Sequence, residues 1–207
     1  MTASGGSGPR SGRGMSATCD KGESDTAPRR TNESLPCSRS IEARAFCGYL
    51  HESLVLVLKG QVRYMTARAL RSVLDTLLEE DGDEAVIIDL RELESIDSTG
   101  MGLLARIGRT TLDYGRRSVI VCAVPDVITC LRSASFDTLF LMTEFWPFKK
   151  EPRLSEVPLD NKELPPDVMG RVMLEAHRDL SAMSEENRLA FSGVVAALEA
   201  DLNRKNN

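Results

Sequence analysis

Residues 93–108 read LESIDSTGMGLLARIG, and the fold turns on how this stretch is divided. Met101, Leu104, Ala105, Gly108, Thr111 and Leu112 recur at intervals of three and four, the period of one face of a helix. The spacing predicts a helix over 99–113, with Gly115 as its stop. Ahead of it EAVIIDL, at 84–90, is an apolar, β-branched run short enough to be a buried strand. Asp97 and Ser98 therefore stand in a loop at the mouth of a helix. The first N–H groups there lack partners within the helix, and the positive end of its dipole favours an anion. Such a place suits a phosphate on Ser98. From spacing alone, the first use to expect of Asp97 or Ser98 is an ordinary N-cap. Gly100 and Gly102 take bulk out of the first turn, which lets another backbone or a nucleotide come close.

Working outward, SLVLVLKGQV predicts a strand at 53–59 that ends at Gly60. In TARALRSVLDTLLEEDGD, Thr66 can cap a helix with Leu70, Val73, Leu74, Leu77 and Leu78 on one stripe and Gly82 at its end. RSVIVCAV, at 117–124, is a third buried strand. Pro125 then opens a short helix carrying Val127, Ile128 and Leu131, and LFLMTE, at 139–144, is a last short strand. Strands alternating with helices over about a hundred residues predict an α/β domain, with a mixed or parallel sheet and helices packed on it.

The flanks differ in texture. Residues 1–42 are rich in Gly, Ser, Pro and Arg and hold almost nothing to bury, so a disordered tail is expected, with Met15 as an alternative start. The domain is expected over 45–145. Residues 146–166 read as a Pro-rich connector, and Phe145 just before it and Trp146 and Phe148 at its head either fold back on the core or form a docking patch. Over 167–203, Val168, Met169, Val172, Met173, Ala176 and Leu180 line one helix face. Ser184 can cap a second helix with Phe191, Val194, Val195, Leu198 and Leu202 inward. This helical hairpin must cover its stripes by packing on its own sheet, by pairing in a homodimer, or by joining a partner site.

A net charge of −5 gives no support for a nucleic-acid footprint. No stretch approaches the roughly twenty apolar residues of a bilayer span, and the N-terminus lacks an apolar signal core, so a soluble, cytoplasmic protein is expected. The five cysteines are scattered with no Cys-x-x-Cys pair, so neither a disulfide framework nor a metal site is expected. The phosphate-loop Gly-x-x-x-x-Gly-Lys-Ser/Thr, the dinucleotide Gly-x-Gly-x-x-Gly and the nucleophile-elbow Gly-x-Ser-x-Gly are absent. His51 and His177 fall in a loop and a tail helix, which leaves Ser98 without an evident base. Asp89, Glu92, Glu94 and Asp97 straddle a strand end and a loop and read as solvated. No catalytic residue and no cofactor is expected.

LVLVLKGQV, AVIIDLRELESIDSTGMGLL and RRSVIVCAVPDVITCLRSASFDTLF, in that order, resemble the STAS domains of bacterial anti-sigma factor antagonists over about 53–144. The resemblance implies a non-catalytic switch. An anti-sigma factor with serine-kinase activity would phosphorylate Ser98, and the unmodified chain would bind that factor and free the sigma factor. A PP2C-type phosphatase would reverse the modification. Carried over by position, Asp97 shapes the loop, and Thr99, Gly100, Met101 and Gly102 belong to the partner-binding surface. Where the family commonly has an acid three residues after Gly60, this chain has Arg63. That arginine can pair with a phosphate on Ser98 or meet an acidic partner surface. Two other classes remain: a non-catalytic subunit of a larger ATPase or stressosome-like assembly, and a small nucleotide-binding protein using the glycines.

Overall fold

The computed structural model describes residues 42–66, 69–71, 75, 85–159 and 165–205. The expected tail through residue 41, and the expected helix positions Val73, Leu74, Leu77, Leu78 and Gly82, lie outside them. Seven strands form one sheet: β1 (Arg44–Leu50), β2 (Ser53–Val62), β3 (Val86–Asp89), β4 (Leu93–Ile96), β5 (Val119–Val121), β6 (Leu141–Thr143) and β7 (Arg153–Val157). Their order is β6-β5-β3-β2-β1-β7, with β4 also paired to β2. Pairings from β2 out to β6 are parallel, while β1 pairs antiparallel with β2 on one side and β7 on the other. The sheet is therefore mixed, one of the two forms the alternation of elements allowed.

Two strands add to the expected set. β1 joins β2 through a tight turn at His51 and Glu52, with His51 in the left-handed region at φ 57°. β7 lies inside the stretch read as a connector. Its alternation is weak and its surface polar, and it becomes a strand because β1 offers it a ladder. Gly48 permits this, since a Cβ there would lie 3.1 Å from the carbonyl carbon of Arg153. β2 also outruns its expected end. At Gly60, φ 73°, its register shifts and the last residues turn to β4.

The helices are α1 (Ser98–Asp113), α2 (Pro125–Ser133), α3 (Pro166–Ser181) and α4 (Glu185–Lys205). Residues 64–66, 69–71 and 75 are also helical, beginning before Thr66. Thr66 is thus not the N-cap. Its hydroxyl reaches back to the N–H and carbonyl of Arg63. Alternation along β2 sorts the core into two layers. Leu54, Leu56 and Leu58 join Leu104, Ile107, Leu131 and Phe140 beneath the helices. Val55 and Val57, with Ile87 and Val121, face the other way and are covered by Trp146 and Phe148. Those two rings meet edge to face at 5.2 Å, and the Arg91 guanidinium lies 5.0 Å from the indole. Phe145, 78% exposed, takes no part.

The C-terminal hairpin packs on its own domain. Leu174, Ala176, His177 and Leu180 of α3 are buried, and α3 lies along α1. The hairpin's turn is pinned as expected by Ser184, whose Oγ accepts the N–H of Asn187 at 3.1 Å. Asn187, itself buried, donates to the carbonyls of Ala134 and Leu180 at 2.9 and 3.1 Å. On α4 the expected inward face is only partly realised, because Leu202 is buried whereas Val194 is exposed.

Candidate functional site

The geometry around residue 97 begins with the end of β2. Asp97 donates its N–H to the carbonyl of Val62 at 3.1 Å, and its carboxylate bridges two helix starts. Oδ1 accepts the N–H of Gly100 at 2.8 Å and caps α1, while Oδ2 accepts the N–H of Tyr64 at 2.7 Å. Asp97 is therefore the N-cap, and it clamps the loop that presents Ser98. Arg63 sits between the two tie points, at Val62 and Tyr64, and is exposed.

Ser98 is half-buried, and its hydroxyl is engaged. His177 of α3, 4% exposed, brings Nε2 to 2.9 Å from Ser98 Oγ, and its Nδ1 stands 2.7 Å from the carbonyl oxygen of Met173. A carbonyl only accepts, so Nδ1 carries the proton. In the neutral ring Nε2 is then the acceptor, and Ser98 donates to it. Phe191 of α4 backs the imidazole edge to face at 5.8 Å. The expectation that Ser98 has no base within reach is corrected here: His177, 79 positions away in the chain, is brought to it by helix packing. The pair carries the hydrogen bond of a nucleophile and base.

The remaining expected partner-binding positions are buried. Gly100 packs inward, where a Cβ would lie 2.8 Å from Ile96 and 2.9 Å from Val62. Met101 is in the core, its sulfur 3.5 Å from Cys130 Sγ. Thr99 and Gly102 face α3, and a Cβ on Gly102 would lie 2.5 Å from the carbonyl carbon of Ala176 and 2.6 Å from its Cα. The absence of a side chain at 102 is what lets another backbone approach, and that backbone is the chain's own.

Charges frame this contact. Arg109 of α1 donates to Asp179 of α3 at 2.7 Å, and Arg71 pairs with Glu175 of α3 and with Asp75. Arg106 reaches Asp75 at 3.0 Å. Burial pushes the Asp179 carboxyl above the usual carboxylate range despite the opposing pull of Arg109 and Arg106. The sequence signal for these pairs was present as Arg106 and Arg109 on one helix and Glu175 and Asp179 on another. Spacing within a helix does not reveal which helix it faces. Among the described residues, no cluster of His, Cys, Asp or Glu could hold a metal, and no helix is long and apolar enough to cross a membrane.

Residues 49–151 match the family model described as STAS domain. The chain carries a STAS domain. Three solved structures are similar over about half of this chain. An anti-sigma factor antagonist from Mycobacterium paratuberculosis shares 18% identity, with a TM-score of 0.46 over 50% of this chain and 87% of that one. The anti-sigma factor antagonist SpoIIAA in its unphosphorylated form gives 18% and 0.43, over 50% and 90%. The Bacillus cell fate determinant SpoIIAA in the phosphorylated form gives 17% and 0.42, over 49% and 91%. In this chain β7, α3 and α4 lie beyond the matched STAS region.

Proposed function

We propose that this STAS protein is a non-catalytic anti-sigma factor antagonist switched by phosphorylation at Ser98. The observation that carries the reading is the position of Ser98: first residue of α1, behind an Asp97-capped turn, inside a STAS domain. Its partners are then an anti-sigma factor with serine-kinase activity, bound by the unmodified chain in the cytoplasm, and a PP2C-type phosphatase. A phosphate adds nearly two negative charges beside Asp97 and Glu94, so like-charge repulsion and the cost of desolvating the group oppose docking. Arg63, exposed next to the loop, supplies a cation for the phosphate or for an acidic partner surface. Phosphopeptide mapping of the chain isolated from its own cells tests the reading. Phosphate on Ser98, lost in Ser98→Ala, is the expected result, and a chain phosphorylated elsewhere or in no growth state sinks it.

One observation favours a second reading. The Ser98 hydroxyl is already used in a bond to a buried histidine, as suits a STAS subunit of a larger assembly whose serine is structural. Stable co-purification with a transport ATPase or a large particle, unchanged by Ser98→Ala, would support it.

A further inference from the structure

In the closed chain Ser98 Oγ stands 2.9 Å from a buried imidazole nitrogen, with the Ala176 backbone pressed against Gly102 one turn further along α1. A phosphoryl group on that oxygen replaces the proton that Ser98 donates to Nε2, so modification breaks the bond between the serine and the seated α3. The contact that seats α3 joins the main core at one end only: Leu180 belongs to that core, whereas Leu174, Ala176 and His177 do not. Its buried side chains are two leucines, an alanine and a histidine, and its flanks are the ion pairs Arg109–Asp179 and Arg71–Glu175. An element held by few buried apolar side chains and by partly exposed ion pairs opens at a lower free energy than the core strands. The carboxyl of Asp179, pushed up by burial, adds that this pair positions α3 more than it holds it.

We infer that the Ser98 face of α1 is a docking surface for an acidic amphipathic helix, and that α3 is its resident, displaceable occupant. The inference rests on the switch reading and specifies its partner. Gly102 accepts a small residue from the incoming helix, while Arg71 and Arg109 accept two carboxylates one turn apart, the pattern Glu175, Ala176 and Asp179 display. In the resting chain α3 shields Ser98 from a kinase and occupies the place of a partner helix. A partner carrying the same pattern competes with α3, and phosphorylation, once achieved, loosens α3 by removing its bond to Ser98. By reciprocity, whatever lifts α3 makes Ser98 a better substrate.

The full-length chain carrying Ser98→Cys, with His177→Leu so that no imidazole activates the thiol, tests the cap without any kinase. Alkylation by iodoacetamide at position 98 is followed by peptide mass spectrometry, with Cys122 and Cys130 as slow internal references, since burial pushes both thiols up. Adding Asp179→Arg sets two arginines against each other, and position 98 should react about tenfold faster. Adding Arg109→Asp to that variant restores the pair with reversed sign, and the slow rate should return. Reaction at 98 as fast in the parent as in an open thiol overturns the cap, as does a rate the charge exchange does not restore. A rise shared by positions 122 and 130 overturns it too, because it reports unfolding of the core. In a second arm, a fluorescein-labelled peptide of residues 166–181 is titrated into the Asp179→Arg variant. Affinity should fall about tenfold when Glu175 and Asp179 of the peptide become Gln and Asn; equal binding, or none, overturns the acidic-helix assignment. Neither arm requires Ser98 to be phosphorylated, so failure of the cap leaves the switch standing, and an unphosphorylated Ser98 leaves the cap standing.

Discussion

Replacing Gly102 by alanine should open the C-terminal hairpin while leaving the STAS sheet closed. The new Cβ would sit 2.5 Å from the carbonyl carbon of Ala176 and 2.6 Å from its Cα. These are backbone atoms, so no rotamer change relieves the clash, and α3 must retreat by roughly 1 Å to restore ordinary carbon–carbon contact. That retreat stretches the 2.9 Å bond between Ser98 and His177 beyond hydrogen-bond range. Overpacking of this kind costs about 1–3 kcal/mol in the closed form. The gain of about 1 kcal/mol from alanine over glycine within a helix is present whether α3 is seated or lifted, because α1 stays helical. It cancels from the opening equilibrium. The net shift corresponds to about 5- to 150-fold faster exchange of the α3 amides. Amide hydrogen exchange read by mass spectrometry is the assay, with β2 and β3 as reference. Unchanged α3 exchange, or an equal rise in the sheet, would refute the reasoning.

Asp97→Ala removes a cap and the tie to Tyr64 together, about 2 kcal/mol, and should lower Tm by about 4–8 °C in a circular dichroism melt; a loss under a degree would show that Asp97 clamps nothing. Trp146→Ala uncovers the second core layer and should cost about 2 kcal/mol for a half-buried ring, whereas Phe145→Ala, at an exposed ring, should stay within about 0.5 kcal/mol; equal effects in urea unfolding would contradict the packing. Asp179 has a carboxyl raised above its unfolded value by burial, so the folded form holds the proton more tightly. Its contribution therefore improves as pH falls from above the raised pKa to the unfolded value of about 3.9. Wild-type α3 exchange, corrected for intrinsic rate, should accordingly slow in that window relative to Asp179→Asn, and the same pH slope in both would contradict the assignment.

Much of the fold was legible because the α/β core writes its periods plainly. The helix from residue 98, the runs at 53, 86 and 119, and Pro125 at a helix start each carry a local signal that tertiary packing reinforces. β1 and β7 were not legible for a physical reason. RAFCGYL holds a glycine and an alanine where a strand would show bulk, and Arg153–Val157 is polar, so β1 is a strand through its hairpin with β2 and β7 through the ladder that β1 offers it. The site divides the same way. Asp97 as cap and Gly102 as a place of close approach follow from residue type and position. His177 against Ser98 does not, because 79 residues separate them and nothing within α3 says which helix its histidine meets. The arginine–carboxylate pairs failed to declare themselves for the same reason: charges spaced three or four apart read as a solvated face until a second helix arrives.

The central claim, that Ser98 governs the binding of an anti-sigma partner, is tested most directly by affinity capture from extract of the source cells on the Ser98→Ala and Ser98→Asp chains, with retained proteins identified by mass spectrometry. The account predicts an anti-sigma factor with serine-kinase character held by the alanine form and lost from the aspartate form. Retention of the same proteins in equal amount on both would contradict it and leave Ser98 as the structural partner of His177.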